Sequence, residues 1–266
     1  MENRGQSCDI TRVPQDWNFY FRKVNGKLAS IALDLGLMEF VPDGARRHLL
    51  WVWVYLRWPR HDGLSDSSEF EELVAVEEAL TAKLGERFDT VLSGRITTDG
   101  RREFYYYGVH SDCFDETVSA TMERFPGYRH DSGHQLDKDW RQYLDVLYPS
   151  EENQQKIENR KVLDALQKRG DALKLPRDIS HWVYFRAAED RANFRNAVRK
   201  LQYRVRSESE LGGRDYPLGI CIVRFQSIQP AEVDDAVIEL YRLAKECHGD
   251  YDGWETEVIS DDARHS

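Results

Sequence analysis

Apolar positions in this chain change period several times, and each change marks an element. Trp17-Asn18-Phe19-Tyr20-Phe21 and Lys27–Leu33 flank Asn25-Gly26, a pair that tolerates positive φ, which predicts a β-hairpin. His48–Trp58 is almost continuously apolar and reads as a long strand ended by Pro59. Over Ser68–Leu84 the period becomes helical. Phe70, Leu73, Val74, Leu80 and Leu84 share a face, Ser68 and Glu71 have capping-box spacing, and Gly85 is the expected stop. Strands follow over Phe88–Thr97 and Arg102–Val109, joined at Asp99-Gly100. A second helix, capped at Ser111 or Asp112, places Phe114, Val118, Met122 and Phe125 inward. Pro126-Gly127 ends it, and a short strand starts at Tyr128.

The remainder runs through the same order. One turn of helix is expected around Trp140–Leu147, then a helix over 150–169 stopped by Gly170. His181–Arg186 reads as a strand, and Ala188–Leu201 as a helix with Phe194, Ala197, Val198 and Leu201 inward. Tyr203–Glu210 and Tyr216–Phe225 read as strands. Pro230–Cys247 reads as a helix with Val233, Val237, Leu240 and Ala244 inward, and Gly253–Ile259 as a last strand. Pro230 suits a first helical position, and Lys245 suits a last turn.

Two β-α-β-β-α-β strings in series predict an α+β protein of two tandem ferredoxin-like sandwiches. The first carries the N-terminal hairpin as an extension. Pro149-Ser150 divides the chain into domains at 12–149 and 150–260. The first and third strands of each string should be central, because Trp51–Leu56, Phe104–Tyr107, Trp182–Phe185 and Ile220–Val223 are apolar on both faces. The strands at 203–210 and 253–259 alternate, as edges do: Tyr203 and Val205 oppose Arg204 and Arg206, and Trp254, Thr256 and Val258 oppose Glu255 and Glu257. Helices should cover one face of each sheet, leaving an aromatic face for the hairpin, the helix before residue 170 or the sister domain to cover.

Charge narrows the partners. The 266 residues carry 37 Lys and Arg against 47 Asp and Glu, a net −10, with −7 before residue 151 and −3 after it. Both halves repel a phosphate backbone on average. No apolar run reaches the roughly 18 residues a membrane helix needs. The polar start, Met1–Val13, lacks a leader's apolar core, so a cytoplasmic protein is expected. The four cysteines, at 8, 113, 221 and 247, have no C-x-x-C spacing. They imply no disulfide framework and no zinc site, and Cys113 and Cys221 are expected to be buried thiols.

Candidate chemistry is sparse. His130 and His134 are four apart, but Gly127, Ser132 and Gly133 argue against a helix that would converge them on a metal. Asp171, Asp178 and His181 could form an acid–base group, or simply fill a polar connection after Gly170. No nucleophile elbow, phosphate-binding loop, dinucleotide fingerprint or zinc-protease motif occurs. Hence no catalytic residue, metal or cofactor is expected, and the protein reads as a non-enzyme. Arg191, Arg195 and Arg199 form an i, i+4, i+8 row that suits an acidic partner segment or RNA phosphates.

RNA-recognition modules share this element order and stack bases on aromatics of their first and third strands, so single-stranded RNA binding is an alternative function. Against it, Arg102–Tyr107 has Glu103 where such modules need glycine, and Tyr216–Ile220 lacks the aromatic pair. An enzyme activity in the first domain is a second alternative.

Residues 159–258 resemble the regulator of ribonuclease E activity B family. The resemblance rests on Val162-Leu163 through Gly170-Asp171, Pro176-Arg177, His181–Phe185, Phe194, and Gly249-Asp250-Tyr251-Asp252-Gly253-Trp254-Glu255-Thr256. His248 stands where the family usually has a second glycine. Residues 12–140 resemble a domain of unknown function, family 695, through Trp17, Trp51–Leu56, Asp62-Gly63, Glu69, Glu77-Glu78 and Phe104–Tyr107. The resemblance implies a noncatalytic, cytoplasmic bacterial regulator that docks on ribonuclease E and inhibits RNA processing, and it transfers no interface residues. Within the matched stretch, Trp254 is expected to lie under the helix at 230–247. Tyr251, Asp252 and Glu255 are the candidate partner contacts, beside the arginine row.

Overall fold

The structure is a computed structural model that describes residues 15–259. Cys8 and the expected domain limits at 12 and 260 lie outside the described residues. The chain divides between Pro149 and Ser150 into two compact units.

Unit 1 contains β1 (Trp17–Val24), β2 (Lys27–Asp34), β3 (His48–Tyr55), α1 (Phe70–Phe88), β4 (Val91–Thr98), β5 (Arg101–Gly108), α2 (Phe114–Met122) and β6 (His130–Leu136). Its sheet has the order β1-β2-β4-β5-β3-β6, with every pairing antiparallel. Both hairpin turns form as their residues dictate. Asn25 and Gly26 have φ of 50° and 78°, and Asp99 and Gly100 have 48° and 76°. Counting from β3, the order β6-β3-β5-β4 puts the first and third strands inside, so the tryptophan-rich run is central. The hairpin pairs in plane with β4, so β4 is internal.

Several boundaries differ from the sequence reading. The strand from His48 ends at Tyr55. α1 runs through Gly85 to Phe88, because Phe88 is fully buried and Asp89 supplies the left-handed residue that closes the helix. The Ser68–Glu71 box does not form. Asp66 caps a short 3-10 turn at Ser67–Glu69 instead, and buried Glu69 accepts from the Arg57 amide. Phe70 is exposed and Val76 takes its place in the core. Cys113 is exposed, correcting the expected burial, because it occupies the left-handed residue that opens α2. Cys221 is buried, and burial pushes its thiol pKa up.

Leu50, Val52, Val54, Phe104 and Tyr106 pack against α1 and α2 in one core. The opposite face of β5 and β4 is covered by residues 137–148, whose centre is a π-helical segment at Gln142–Leu147. Trp140 stacks on Tyr107 at 3.7 Å with planes 6° apart, and its indole N–H donates to the Arg46 carbonyl. Tyr107 donates to Asp137, Tyr143 to the Asp34 carbonyl and Tyr20 to the Leu147 carbonyl. Each buried hydroxyl on this face thereby finds an acceptor.

Unit 2 contains α3 (Glu151–Lys168), β7 (Arg177–Phe185), α4 (Ala188–Lys200), β8 (Arg204–Glu210), β9 (Leu218–Gln226), α5 (Pro230–Glu246) and β10 (Gly249–Glu255). Its sheet has the order β10-β7-β9-β8, again antiparallel with the expected strands inside. β7 starts at Arg177, earlier than expected, because Arg177 is buried against Asp171. β10 occupies 249–255 rather than 253–259, and its register shifts between Tyr251 and Gly253. Consequently Thr256 and Val258 lie beyond the strand. Ile179, Val183, Phe185, Ile220 and Ile222 join α4 and α5 residues in the second core.

Candidate partner-binding surface

Only some of the sequence candidates come together. Arg191 donates to the Ser209 and Gly219 carbonyls and pairs with Glu208 at 3.5 Å, while Arg195 reaches the same carboxylate at 3.0 Å. These two tie α4 to β8 and β9. Arg199 is exposed on the same helix. The row therefore does not present three free cations, because one strand carboxylate engages two of them.

Tyr251 is also internal. It is 6 % exposed and shares a 2.8 Å hydrogen bond with Nδ1 of His181, which is fully buried. Tyr251 is removed from the candidate contacts because β10 turns it toward the helix side. Burial, with a smaller contribution from Arg224, pushes the His181 pKa down to about 3, so the imidazole is neutral. Asp171 is locked to Arg177 in a buried ion pair and also accepts from the Leu173 and Ile259 amides. The Arg177 hydrogen bond leads the causes that hold the Asp171 carboxyl at about 2. Asp178 is exposed and pairs with Arg204 at 3.4 Å. Asp171, Asp178 and His181 thus have separate partners and do not assemble an acid–base group. His130 and His134 lie on edge strand β6, with His134 against the Phe114 ring. Among the described residues no group of three or more His, Cys, Asp or Glu could hold a metal.

Asp252 and Glu255 do converge. With Gly253 and Trp254 they line one side of a groove of about 490 Å³. Gln155, Glu158, Asn159 and Val162 of α3 and Trp182 and Tyr184 of β7 complete its lining. The wall is built firmly. Asn159 is 2 % exposed, donates to Asp234 and accepts from the Trp254 indole. At the start of α3, Glu152 pairs with Arg242 at 2.7 Å, and Glu151 accepts from Tyr241 and pairs with Lys245. Trp254 thus sits between the α5 core and α3, not under α5 alone.

Two half-buried aromatic rings beside three carboxylates make a surface for an extended cationic and apolar segment. Trp182 and Tyr184 were missed as site residues. Strand parity held the signal: Val183 and Phe185 face the helices, so 182 and 184 face away.

No helix among the described residues is long and apolar enough to cross a membrane. The family model described as a family of unknown function, DUF695, matches residues 15–148. The model described as Regulator of ribonuclease activity B matches residues 156–256. No curated protein matches the chain. Among solved structures, a crystal structure of an unknown protein from Galdieria sulphuraria is similar at 9 % identity and a TM-score of 0.21. The match covers 80 % of this chain and 98 % of that one.

Proposed function

We infer a regulator that acts by binding from a premise the matches supply: the chain belongs to the DUF695 family of unknown function and carries, behind that module, a match to Regulator of ribonuclease activity B. The inferred protein is noncatalytic and cytoplasmic. Its two units, at 12–149 and 150–260, are tandem ferredoxin-like sandwiches, a reading supported by the strand orders β6-β3-β5-β4 and β10-β7-β9-β8. Its partner is ribonuclease E, and the consequence of binding is slower RNA processing.

The observation that carries this reading is the second match, which spans the whole sheet of unit 2 and all but the first turn of α3. The groove between α3 and β10 is its docking surface. Glu158, Asp252 and Glu255 repel phosphates there, which favours a protein segment over the RNA alternative. The arginine row has a secondary place, since only Arg199 is not engaged by Glu208.

The test is calorimetric titration of the full chain with ribonuclease E of the same organism, alongside an RNA-cleavage assay. Binding in the micromolar range, ΔG near −8 kcal/mol, with slowed cleavage is expected. Absence of both removes this partner. Tight binding of single-stranded RNA that weakens steeply with salt would support the alternative instead.

A further inference from the structure

The hairpin creates a second cavity, in unit 1, that the reading above does not use. An α-helix is about 10 Å across and strands lie about 4.8 Å apart, so two helices cover about four strands. This sheet has six. On the helix side, the surplus width becomes the floor of a cleft of about 570 Å³, within the usual range for small-molecule sites, about 300–1,000 Å³.

Register fixes what the floor presents. One row across the strands reads Phe19, Ala32, Arg95 and Phe104. The next reads Phe21, Ser30, Thr97 and Arg102. Aromatic rings stand on β1, arginines on β4 and β5, and small residues on β2 leave a hollow between them. Phe19 and Phe21 are 40 % and 45 % exposed, although they are large and apolar. Arg60, Leu64 and Ser65, from the connection between β3 and α1, form the rim.

The charges in the cleft are unequal. Arg95 is paired with Glu77 of α1, and Arg60 with Asp62 at 2.7 Å. Arg102 is 7 % exposed, yet its bonds go to neutral hydroxyls, Thr97 at 3.2 Å and Ser65 at 3.4 Å. Among the described residues no carboxylate lies within ion-pair distance of it. Burial, then the nearby Arg95 charge, pulls its pKa down to about 10 against the opposing fields of Glu77 and Glu69, so the cation is retained at neutral pH with no carboxylate in contact. A buried guanidinium with no carboxylate in contact is costly for folding alone, and a carboxylate would fit its fork of donors.

We propose that this cleft binds a small aromatic monocarboxylate, its carboxylate on Arg102 and its ring against Trp17, Phe19 and Phe21. The three strand spacings from Phe21 to Arg102 amount to about 14 Å between backbones, enough for a bicyclic ring with one acidic group. Among the described residues, Arg102 is the one arginine of this cleft outside an ion pair, and Glu77 also lines the cleft, so a single negative charge suits it and a phosphate dianion fits less well.

Calorimetry on the full chain with 2-naphthoate, methyl 2-naphthoate and inorganic phosphate tests the assignment. Naphthoate is expected to bind below millimolar concentration, with the ester at least about tenfold weaker and Arg102→Gln weakening naphthoate to a similar degree. Phosphate is not expected to displace it. Ser30→Leu fills the hollow without touching Arg102, and should abolish binding at an unchanged melting temperature. That variant keeps the proposal testable if Arg102→Gln does not fold. Equal affinity for acid and ester, full binding by a folded Arg102→Gln or Ser30→Leu protein, displacement by phosphate, or no binding at about 1 mM would each overturn it. None of these outcomes depends on whether ribonuclease E is the partner of unit 2.

Discussion

The two units share one element order and one strand order, and they differ in what is added at the margins. In unit 1 a hairpin widens the sheet past the reach of its helices, and Asp137–Tyr148 seals part of the opposite face. In unit 2, among the described residues, no strand joins β8, and that edge carries Arg204, Arg206, Glu208 and Glu210, charges that discourage strand addition. Its addition is α3, which comes before the repeated string and forms a groove with β10. A common core therefore yields two kinds of surface. An overhanging sheet gives an open cleft with a buried cation, and an appended helix gives an acidic groove with aromatics. Both proposed binding surfaces form where an addition meets the common core.

The comparison breaks most visibly if the seal in unit 1 is removed. Trp140 is fully buried, stacked on Tyr107 and hydrogen-bonded to Arg46. Trp140→Ala is expected to cost about 3–5 kcal/mol. Hydrogen exchange should show the loss in β4 and β5, with β7 and β9 unchanged. Equal loss of protection in β7 and β9 would mean the two units do not respond separately. Asp171→Asn is the counterpart in unit 2. It leaves Arg177 buried without its counter-charge, for a loss of about 3–5 kcal/mol in denaturant unfolding. In the parent protein, stability from the depressed Asp171 carboxyl is complete above pH of about 4 and is lost as pH falls toward 2.

Much of this was legible in the sequence, for a definite reason. Period and turn chemistry are local, so Asn25-Gly26, Asp99-Gly100 and the helix over 230–246 could be read directly. The central strands showed themselves as apolar on both faces. What could not be read depends on distant partners. Gly85 seemed a stop, yet Phe88 had a core to enter. Tyr251 seemed a contact residue, but its facing is set by pairing with β7 and by His181. The arginine row had helical spacing, but Glu208 on another strand decides its charge. Arg102 and Phe21 lie 81 positions apart, and only the register through β2 and β4 puts them in one row.

Between the two units, the buried histidine is peculiar to the second. His181 is neutral with a pKa near 3 in the fold and about 6.5 when unfolded. Below pH 6.5 the unfolded chain takes up a proton that the native state refuses, so stability falls with acid from 6.5 down to about 3. At pH 5 the loss is about 2 kcal/mol. The groups facing the ring are Tyr251, Tyr203 and Arg224. His181→Gln should flatten that slope in urea titrations from pH 7 to 5, and an unchanged slope would contradict a neutral buried ring. Smaller still is the effect in the groove. Trp182→Ala and Glu255→Lys are each expected to weaken the proposed binding of ribonuclease E about tenfold, or 1.4 kcal/mol. Melting should be little changed, because both residues line the open side of the sheet.

The smallest effect tests the departure at position 248. His248 follows α5 with φ of 54°, in the left-handed region that glycine enters without strain. A glycine would suit this position for that reason, and the next residue, Gly249, has a separate one: a Cβ there would meet the Phe185 ring at 2.4 Å. His248 compensates in part through a 3.3 Å contact with Asp190, but its side chain is 81 % exposed and the pair is weak. His248→Gly should therefore stabilise unit 2 by up to about 1 kcal/mol, the relief of left-handed strain set against a more flexible unfolded chain. A denaturation midpoint that moves down instead would assign His248 a stabilising role through Asp190 larger than its exposure allows.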